Sequence, residues 1–270
     1  MSDGRRGVSV SAARLASLVS PAVVFIAVMT AWELSVRLND IQPYVLPGPL
    51  LVLKTLVSDW DILFQSLVTT LITTLEGFVA AALGGIALAL LFNQSKWLER
   101  ALFPYAVVLQ VTPVIAIAPL LLIYLPQQTA VVTCAWIVGF FPVLSNTALG
   151  LNSVDRNLAG LFQLYGASRW QTLRYLKLPA ALPYILGGLR IAGGLSLIGA
   201  VVAEIAAGSA GAGSGLAYRI AESGYRLNIP RMFAALVLLS VAGIVIYGLL
   251  ALVSHLVLRR WHESALGKDN

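Results

Sequence analysis

Charged residues are scarce in this sequence: Asp, Glu, Lys and Arg make up 11% of its 270 residues, while 59% are hydrophobic. A soluble domain is about 25% charged. A chain with so few charges cannot bury its apolar surface in one water-facing globule, which excludes an ordinary soluble domain and predicts an integral membrane protein. The net charge of +6 then needs no nucleic-acid partner, because Lys and Arg on cytoplasmic loops account for it.

Cysteine and histidine are nearly absent. Cys134 is the only cysteine, so an intrachain disulfide is impossible. The two histidines, His255 and His262, are too few and too close to the C-terminus to suggest a metal site. No catalytic constellation or nucleotide motif is present, so the chain is expected to be no enzyme and to carry no cofactor itself.

Long apolar runs predict an all-α polytopic membrane protein with six transmembrane helices. The first run ends without an A-x-A cleavage site, so it is interpreted as a retained helix and not as a signal peptide. The third run contains Pro104, Pro113 and Pro119, and Pro113 marks either a kink that lines a pathway or an ordinary packing kink. The runs cover residues 17–37, 62–92, 101–124, 129–151, 183–205 and 232–258.

The distribution of basic residues predicts the orientation. With both termini inside, the cytoplasmic segments hold 12 Lys and Arg residues, the opposite side holds 5, and Arg190 lies within a span. The predicted organisation is a cytoplasmic segment at 1–16, a first helix and periplasmic loop at 17–60, a core at 61–258 with a cytoplasmic loop at 152–182, and a cytoplasmic tail at 259–270.

The stretch DRNLAGLFQLYGASRWQTLRYLKLPAALP at 155–183 is a charged, amphipathic island between two apolar runs. Asp155 is a suitable N-cap for a short helix, and Gly166 stands where a left-handed residue would end it. Ser168 and Gln171 form a capping box that starts a second helix, which Pro179 is expected to stop. The pattern predicts two short helices that meet at a glycine.

The same stretch resembles the permease subunits of bacterial binding-protein-dependent ABC importers. Their loop reads roughly E-A-A-x-x-x-G, about nine residues, then I-x-L-P; Gly166 matches the glycine and Leu178-Pro179 the L-P. The surrounding GASRWQTLRYLKLPAALPYILGGLR is similar to the taurine, nitrate, sulfonate and thiamine-precursor branch. The usual glutamate is missing, because the E-A-A positions are Gly160, Leu161 and Phe162, and Arg169 is the candidate to replace its contact.

This resemblance implies a type I, MetI-like permease core that forms the pathway for a small polar solute. It implies cytoplasmic ATPase subunits that bind ATP and Mg, a periplasmic binding protein, a second permease copy and the bacterial inner membrane. The bland alternative is a surface loop without a partner. The residues that the resemblance assigns to coupling are Gly160, Leu161, Phe162, Gly166, Ala167, Ser168, Arg169, Leu178 and Pro179.

Glu76, Arg190 and Glu204 are the charges within the spans, where charge is costly. Counting along the helices places Glu76 and Arg190 both roughly 10 Å from the cytoplasmic face. We expect them to pair, across helices or across a dimer, as a structural ion pair or as part of the pathway. Glu204, in a VVAEI stretch similar to the family's V-x-A-E, is expected near the periplasmic mouth, either snorkelling to water or serving a gating or substrate role.

The glycine-rich GSAGAGSG at 208–215 lacks the Gly-Lys-Ser/Thr ending of a phosphate-binding loop. It is interpreted as a connector or a re-entrant turn near the pathway. A secondary transporter or channel that works without ATP is the alternative function, but neither internal repeats nor an ion-binding set of carboxylates is apparent. The substrate stays open among oxyanions, sulfonates, taurine and pyrimidine-type vitamin precursors.

Overall fold

The computed structural model describes residues 6–208 and 213–259, with side chains described from residue 19. Residues 1–5 of the expected N-terminal segment, residues 209–212 of the glycine-rich stretch and residues 260–270 of the expected tail therefore lie outside the described residues. Within the described ranges every regular element is a helix. The helices are α1 (Arg6–Leu38), α2 (Pro49–Ser58), α3 (Trp60–Gln94), α4 (Lys96–Val111), α5 (Val114–Tyr124), α6 (Gln127–Leu151), α7 (Arg156–Leu164), α8 (Arg169–Thr172), α9 (Leu178–Ala207), α10 (Leu216–Tyr225) and α11 (Ile229–Leu258).

Five spans in the described ranges are single helices long and apolar enough to cross a membrane, and α4 with α5 makes a sixth as a bent pair. The all-α, multi-span fold class is confirmed. The third span is not one kinked helix, however, because α4 and α5 meet at 99°. Thr112 ends α4 in an extended conformation and Pro113 precedes α5, as expected from the steric limits that proline places on the residue before it. Pro104 and Pro119 instead lie inside their helices.

The centre of the bundle is formed by α3, α6 and α9, which approach closely at small residues. A Cβ at Gly77 would stand 2.9 Å from the carbonyl oxygen of Val132, and one at Gly199 would stand 2.7 Å from that of Cys134. In a membrane the surrounding lipid is as apolar as the helices, so close backbone packing supplies much of their association. These glycines therefore allow α3 and α9 to pack closely on α6.

The helix that follows the loop is continuous with the fifth span, contrary to expectation. Leu173–Lys177 forms one π-helical turn that joins α8 to α9, and the combined helix covers 39 residues from Arg169 to Ala207. Pro179 does not stop it: it follows the π-helical turn closely and lies near the start of α9, and the helix continues past it. Pro183 lies within α9 and not at the start of the span.

The first helix lies at the periphery, and its last turns are tied to the loop that follows. The Glu33 carboxylate accepts a hydrogen bond from the backbone N–H of Leu50 at 3.3 Å. The Trp32 ring lies 5.8 Å from that of Phe233 in α11. The remainder of the span at Val19–Leu38 buries nothing against the bundle, so α3 to α11 carry the sites described below.

Candidate functional site

The first half of the loop is closed by its own backbone and side chains, as the sequence predicts. The Asp155 carboxylate accepts hydrogen bonds from the backbone N–H groups of Asn157 at 2.6 Å and Leu158 at 3.4 Å. At the other end of α7, Gly166 has φ +67°, and Ala167 donates its N–H to the carbonyl of Phe162 at 2.9 Å. This is a Schellman closure, so the left-handed glycine is confirmed.

The second half of the loop begins with the predicted capping box. The Ser168 hydroxyl accepts the N–H of Gln171 at 3.2 Å, and the Gln171 side chain accepts the N–H of Ser168 at 2.7 Å. Further along, Leu173 is buried and packs in the same cluster as Phe92 of α3. Lys177 donates to the Asn93 side chain at 3.1 Å, so the end of the loop is fixed to the end of α3.

The loop exposes large apolar side chains, although it lies at the polar end of the bundle. None of the residues of α7 is buried, and Leu164 and Tyr165 are 87% and 83% exposed. Exposed apolar surface of this kind marks a place where another molecule binds. The other large apolar side chains exposed there are Leu158, Leu161, Trp170 and Tyr175.

The remaining loop residues singled out in the sequence lie on this surface or at its base. Gly160 has open space where a side chain would begin, and Phe162 is half-buried. Arg169 is exposed, and none of the ion pairs among the described residues involves it. Leu178 and Pro179 are half-buried where the loop enters α9.

At the opposite end of the bundle, Glu204 joins α9 to α3 and α10. Its Oε2 atom accepts hydrogen bonds from the Thr70 hydroxyl at 3.0 Å and from the backbone N–H of Ala217 at 3.1 Å. The Thr70 hydroxyl in turn accepts the N–H of Leu216 at 2.8 Å. The first N–H groups of α10, which lack partners within that helix, are thus satisfied from the membrane-spanning helices.

Glu204 does not snorkel to water, and that expectation is wrong. Only 4% of the residue is exposed, and a Cβ on Gly215 would overlap the Glu204 carboxyl group. The glycine therefore lets the chain close over the carboxylate. The segment after the glycine-rich stretch begins with α10, and Glu204 and Thr70 supply its N-terminal acceptors.

A cavity of about 430 Å³ lies beside this network, and we call it the far-end cavity. Hydroxyl, carboxamide and carboxylate groups make up its polar lining, and the charged side chain among the lining residues is Glu204. The lining residues are Thr69, Ile72, Thr73, Gln127, Gln128, Val131, Glu204 and Gly213.

Glu76 and Arg190 do not pair within the chain. Gly85 of α3 and Gly188 of α9 both pack against residues 142–146 of α6, which places them at one level. Glu76 lies nine residues before Gly85 and Arg190 two residues after Gly188, and the helices run in opposite directions. Their levels therefore differ by about 10 Å at 1.5 Å per residue. Glu76 is exposed, and the Arg190 guanidinium lies 5.8 Å from the Tyr247 ring centroid.

Three residues of the far end were missed by reading the sequence. Thr70 lies within an apolar run, and Gln127 and Gln128 lie between the runs 101–124 and 129–151, yet these two glutamines begin α6 and line the cavity. The available signal was the TTLITT pattern at 69–74, since small polar residues within a span face other helices more often than lipid. The partner of Thr70, Glu204, is distant in sequence, so no local pattern reveals that contact.

Comparison with known proteins places most of the chain in one group. Residues 81–259 match the family described as binding-protein-dependent transport system inner membrane component. The chain is 34% identical over 248 residues to the riboflavin transport system permease protein of Chloroflexus aurantiacus, covering 90% of each protein. It is 35% identical over 228 residues to the formylaminopyrimidine transport permease protein of Halalkalibacterium halodurans, covering 84% of this chain and 89% of that protein.

More distant relatives and one solved structure agree with these matches. The putative aliphatic sulfonates transport permease protein of Bacillus subtilis is 29% identical over 254 residues, covering 93% of this chain and 88% of that protein. The crystal structure of an amino acid ABC transporter with histidines aligns with a TM-score of 0.61 at 22% identity. It covers 74% of this chain and 96% of that one, which supports the fold.

Proposed function

The chain belongs to the family of inner membrane components of binding-protein-dependent transport systems, and from this membership we propose that its loop docks on the importer's ATPase and couples ATP hydrolysis to uptake. The protein is a multi-pass membrane permease of an ABC importer for a small solute and not an enzyme. An ATPase and a substrate-binding protein are its partners in such a system. The relatives give no support to transport without ATP.

The exposed apolar surface of the loop carries this proposal. Leu161, Leu164, Tyr165 and Trp170 are exposed on the loop that joins α6 to the long helix containing α9. Covering them with a partner removes apolar area from water, which favours association by about 25 cal/mol per Å² before the costs of association are counted. The Schellman closure and the capping box give this surface one defined shape.

The residues of the loop then divide into a docking part and a connecting part. Gly160, Leu161, Phe162 and the neighbouring exposed apolar side chains form the docking surface, with Arg169 at its edge in place of the missing glutamate. Gly166, Ala167 and Ser168 fix the turn between the helices. Leu178 and Pro179 pass the displacement into α9.

The assembly is proposed to be a homodimer with both termini in the cytoplasm of a bacterial cell and the loop on the same side. The bias of basic residues supports this orientation. Two copies around one axis would enclose a pathway that a six-span chain has little room to enclose alone. ATP and Mg would be bound by the ATPase partner, whose closure would draw the two loops together.

The far-end cavity is proposed as the periplasmic part of the pathway. Thr69, Ile72, Thr73 and Glu76 lie on one face of α3 at helical spacing, so Glu76 continues the cavity lining one turn deeper. Glu204 holds α10 beside the cavity as a positioning residue, and the break at Pro113 directs α5 towards α9, where Ala118 packs with Ala200 and Ala203.

The groups that line the far-end cavity also indicate the chemical class of the solute. Among the described residues the lining offers hydroxyls, carboxamides and a carboxylate and no cationic side chain, which suits an uncharged hydrogen-bonding solute better than an oxyanion. Two of the relatives are named for riboflavin and formylaminopyrimidine, which are uncharged nitrogen heterocycles. We propose a solute of this type, with its identity set mainly by the binding protein.

Co-purification from the native membrane tests the docking proposal. The expected result is an ATPase retained by the unmodified chain and lost from Leu164→Glu, because the introduced charge would have to be buried at the interface. Gln163→Glu, which adds the same charge to a side chain that is already polar, is the matched control and should retain the ATPase. Equal retention by both variants would contradict docking through this surface.

A further inference from the structure

A second cavity, of about 340 Å³, lies between α9 and α11 near the loop end of the bundle, and we call it the α9–α11 cavity. Arg190 and His255 contribute groups that carry or can accept positive charge, Ser254 contributes a buried hydroxyl, and the rest of the lining is apolar. The lining residues are Pro183, Gly187, Arg190, Ala251, Ser254, His255 and Leu258.

Arg190 has no anionic partner in the part of the chain that the structure describes. None of the ion pairs found there includes it, and its Nε atom is buried without a hydrogen-bond acceptor. The Tyr247 ring, 5.8 Å from the guanidinium, orients the side chain but supplies no acceptor. A guanidinium within a span is costly unless an anion compensates it.

Glu76 of a second copy is a poor counter-ion for Arg190. The two residues differ in depth by about 10 Å, and a two-fold axis along the membrane normal preserves that difference. Helical side chains lean towards the start of their own helix, so Glu76 leans towards the far end and Arg190 towards the loop end. The two side chains therefore diverge, so Glu76 does not supply the anion that Arg190 lacks among the described residues.

The position of the cavity indicates where that anion lies. The apolar sequence of α11 ends at Leu258 and is followed by Arg259, so the headgroup region of the bilayer begins there. His255 is one turn, about 6 Å, before Arg259. A phosphate at the membrane surface on the loop side is thus within the range of the cavity, and the apolar lining would receive the beginning of the acyl chains.

We propose that the α9–α11 cavity is an oxyanion site that binds the phosphodiester headgroup of an anionic phospholipid from the leaflet on the loop side. Arg190 supplies the charge and paired N–H donors that suit a phosphate, and Ser254 and His255 supply further donors. Basic pockets between spanning helices are suited to such headgroups. The site holds α9 and α11 together at the point where the loop's motion enters α9.

Replacing Gly187 with a larger residue would fill the α9–α11 cavity without removing the charge of Arg190. A Cβ at Gly187 meets no atom within 4 Å, so Gly187→Leu would place its side chain in the cavity while strengthening the helix. Gly194 lies seven residues further on the same face of α9 and also has open space. Because Gly194 is outside the lining, Gly194→Leu is the matched control.

The test is native mass spectrometry and thermal unfolding of the full complex in detergent, titrated with phosphatidylglycerol, phosphatidylcholine or inorganic phosphate. We expect phosphatidylglycerol to be retained and to raise the unfolding temperature. Arg190→Gln and Gly187→Leu should weaken its apparent affinity by roughly tenfold or more, and Gly194→Leu, Arg259→Gln and Glu76→Gln should leave it unchanged.

Three results would overturn the proposal. Equal retention of phosphatidylglycerol by Arg190→Gln, Gly187→Leu and the unmodified chain would remove the site. Stabilisation by inorganic phosphate that is lost in the same two variants would identify a free oxyanion as the occupant. Retention of phosphatidylglycerol that appears only in Glu76→Gln would identify Glu76 of the second copy as the counter-ion, because its replacement would free Arg190 for a headgroup. ATPase retention, measured in the same samples, reports separately on the docking proposal.

Discussion

The Oε2 atom of Glu204 accepts a hydrogen bond from the Thr70 hydroxyl at 3.0 Å, and the two residues are 134 positions apart. The same threonine accepts the backbone N–H of Leu216 at 2.8 Å. One hydroxyl therefore connects the fifth span, the second span and the start of α10, and this connection forms a wall of the far-end cavity.

Replacing Thr70 with valine should destabilise the far end of the bundle with little change in shape. The N–H of Leu216 would lose its acceptor in a buried position, which costs about 1–3 kcal/mol. Hydrogen exchange at residues 216–225 should accelerate, and the unfolding temperature should fall. Thr69→Val is the control, because the Thr69 hydroxyl donates only to the carbonyl of Gln65 in its own helix. Unchanged exchange in Thr70→Val would show that the network does not hold α10.

Replacing Gly166 tests whether the left-handed turn is required for coupling. Gly166→Ala should cost about 1–2 kcal/mol from the backbone conformation alone, because no atom lies within 4 Å of its Cβ position. We expect uptake to fall while ATP hydrolysis continues, Gly166→Asn to retain more uptake, and Gly166→Glu to be inserted but uncoupled. Gly194→Ala, also in open space but helical and outside the loop, should support normal uptake. Equal uptake by all four variants would contradict the role of the turn.

Replacing Gly77 tests the close packing of α3 on α6. In Gly77→Ala the methyl group would overlap the Cβ of Ala135 and lie 2.9 Å from the backbone oxygen of Val132, so the helices must separate, at a cost of about 1–3 kcal/mol. Gly84→Ala, two turns further on the same face, would meet the Phe140 ring at 3.4 Å and the Trp136 Nε1 atom at 3.7 Å, which are ordinary contact distances. The midpoint of thermal unfolding should fall in Gly77→Ala and should be unchanged or higher in Gly84→Ala. Equal midpoints in the two variants would refute the packing argument.

The ion pair between Arg231 and Asp59 should contribute measurably to the free energy of unfolding, because no more than about a quarter of either side chain is exposed. Their atoms are 2.5 Å apart, with exposed fractions of 25% and 19%. Asp59→Asn should lower the unfolding free energy by about 1–2 kcal/mol, mainly by loosening the start of α11. The double variant Asp59→Arg with Arg231→Asp should recover part of the loss. A double-mutant cycle with no coupling energy would show that the pair is dispensable.

The sequence predicts the local features of the loop well because they depend on neighbouring residues. The N-cap at Asp155, the left-handed Gly166 and the capping box at Ser168 each need only the next few backbone groups, and all three are confirmed. The apolar runs likewise predict the spans, since about 20 apolar residues suffice to identify each.

The sequence fails where the outcome depends on a distant residue or on helix geometry. Pro179 was expected to end a helix, but the π-helical turn at Leu173–Lys177 carries the helix past it. Snorkelling to water was one of the two roles expected of Glu204 and is wrong, because nothing near it in sequence reveals Thr70 as its partner. Glu76 and Arg190 were placed at one depth by counting from span boundaries that were themselves uncertain by several residues.

The two sides of the loop differ mechanically. Before the loop, the chain is non-helical between Leu151 and Arg156, so α6 is joined to it by a hinge. After it, helix continues from Arg169 to Ala207, 39 residues or about 58 Å at 1.5 Å per residue. A push applied at Trp170 therefore acts on a lever with Glu204 near its other end. In an importer built this way, a force applied by the ATPase would tilt the continuous helix from Arg169 to Ala207 as one rigid unit. The tilt would displace the wall of the far-end cavity, while α6 would stay in place.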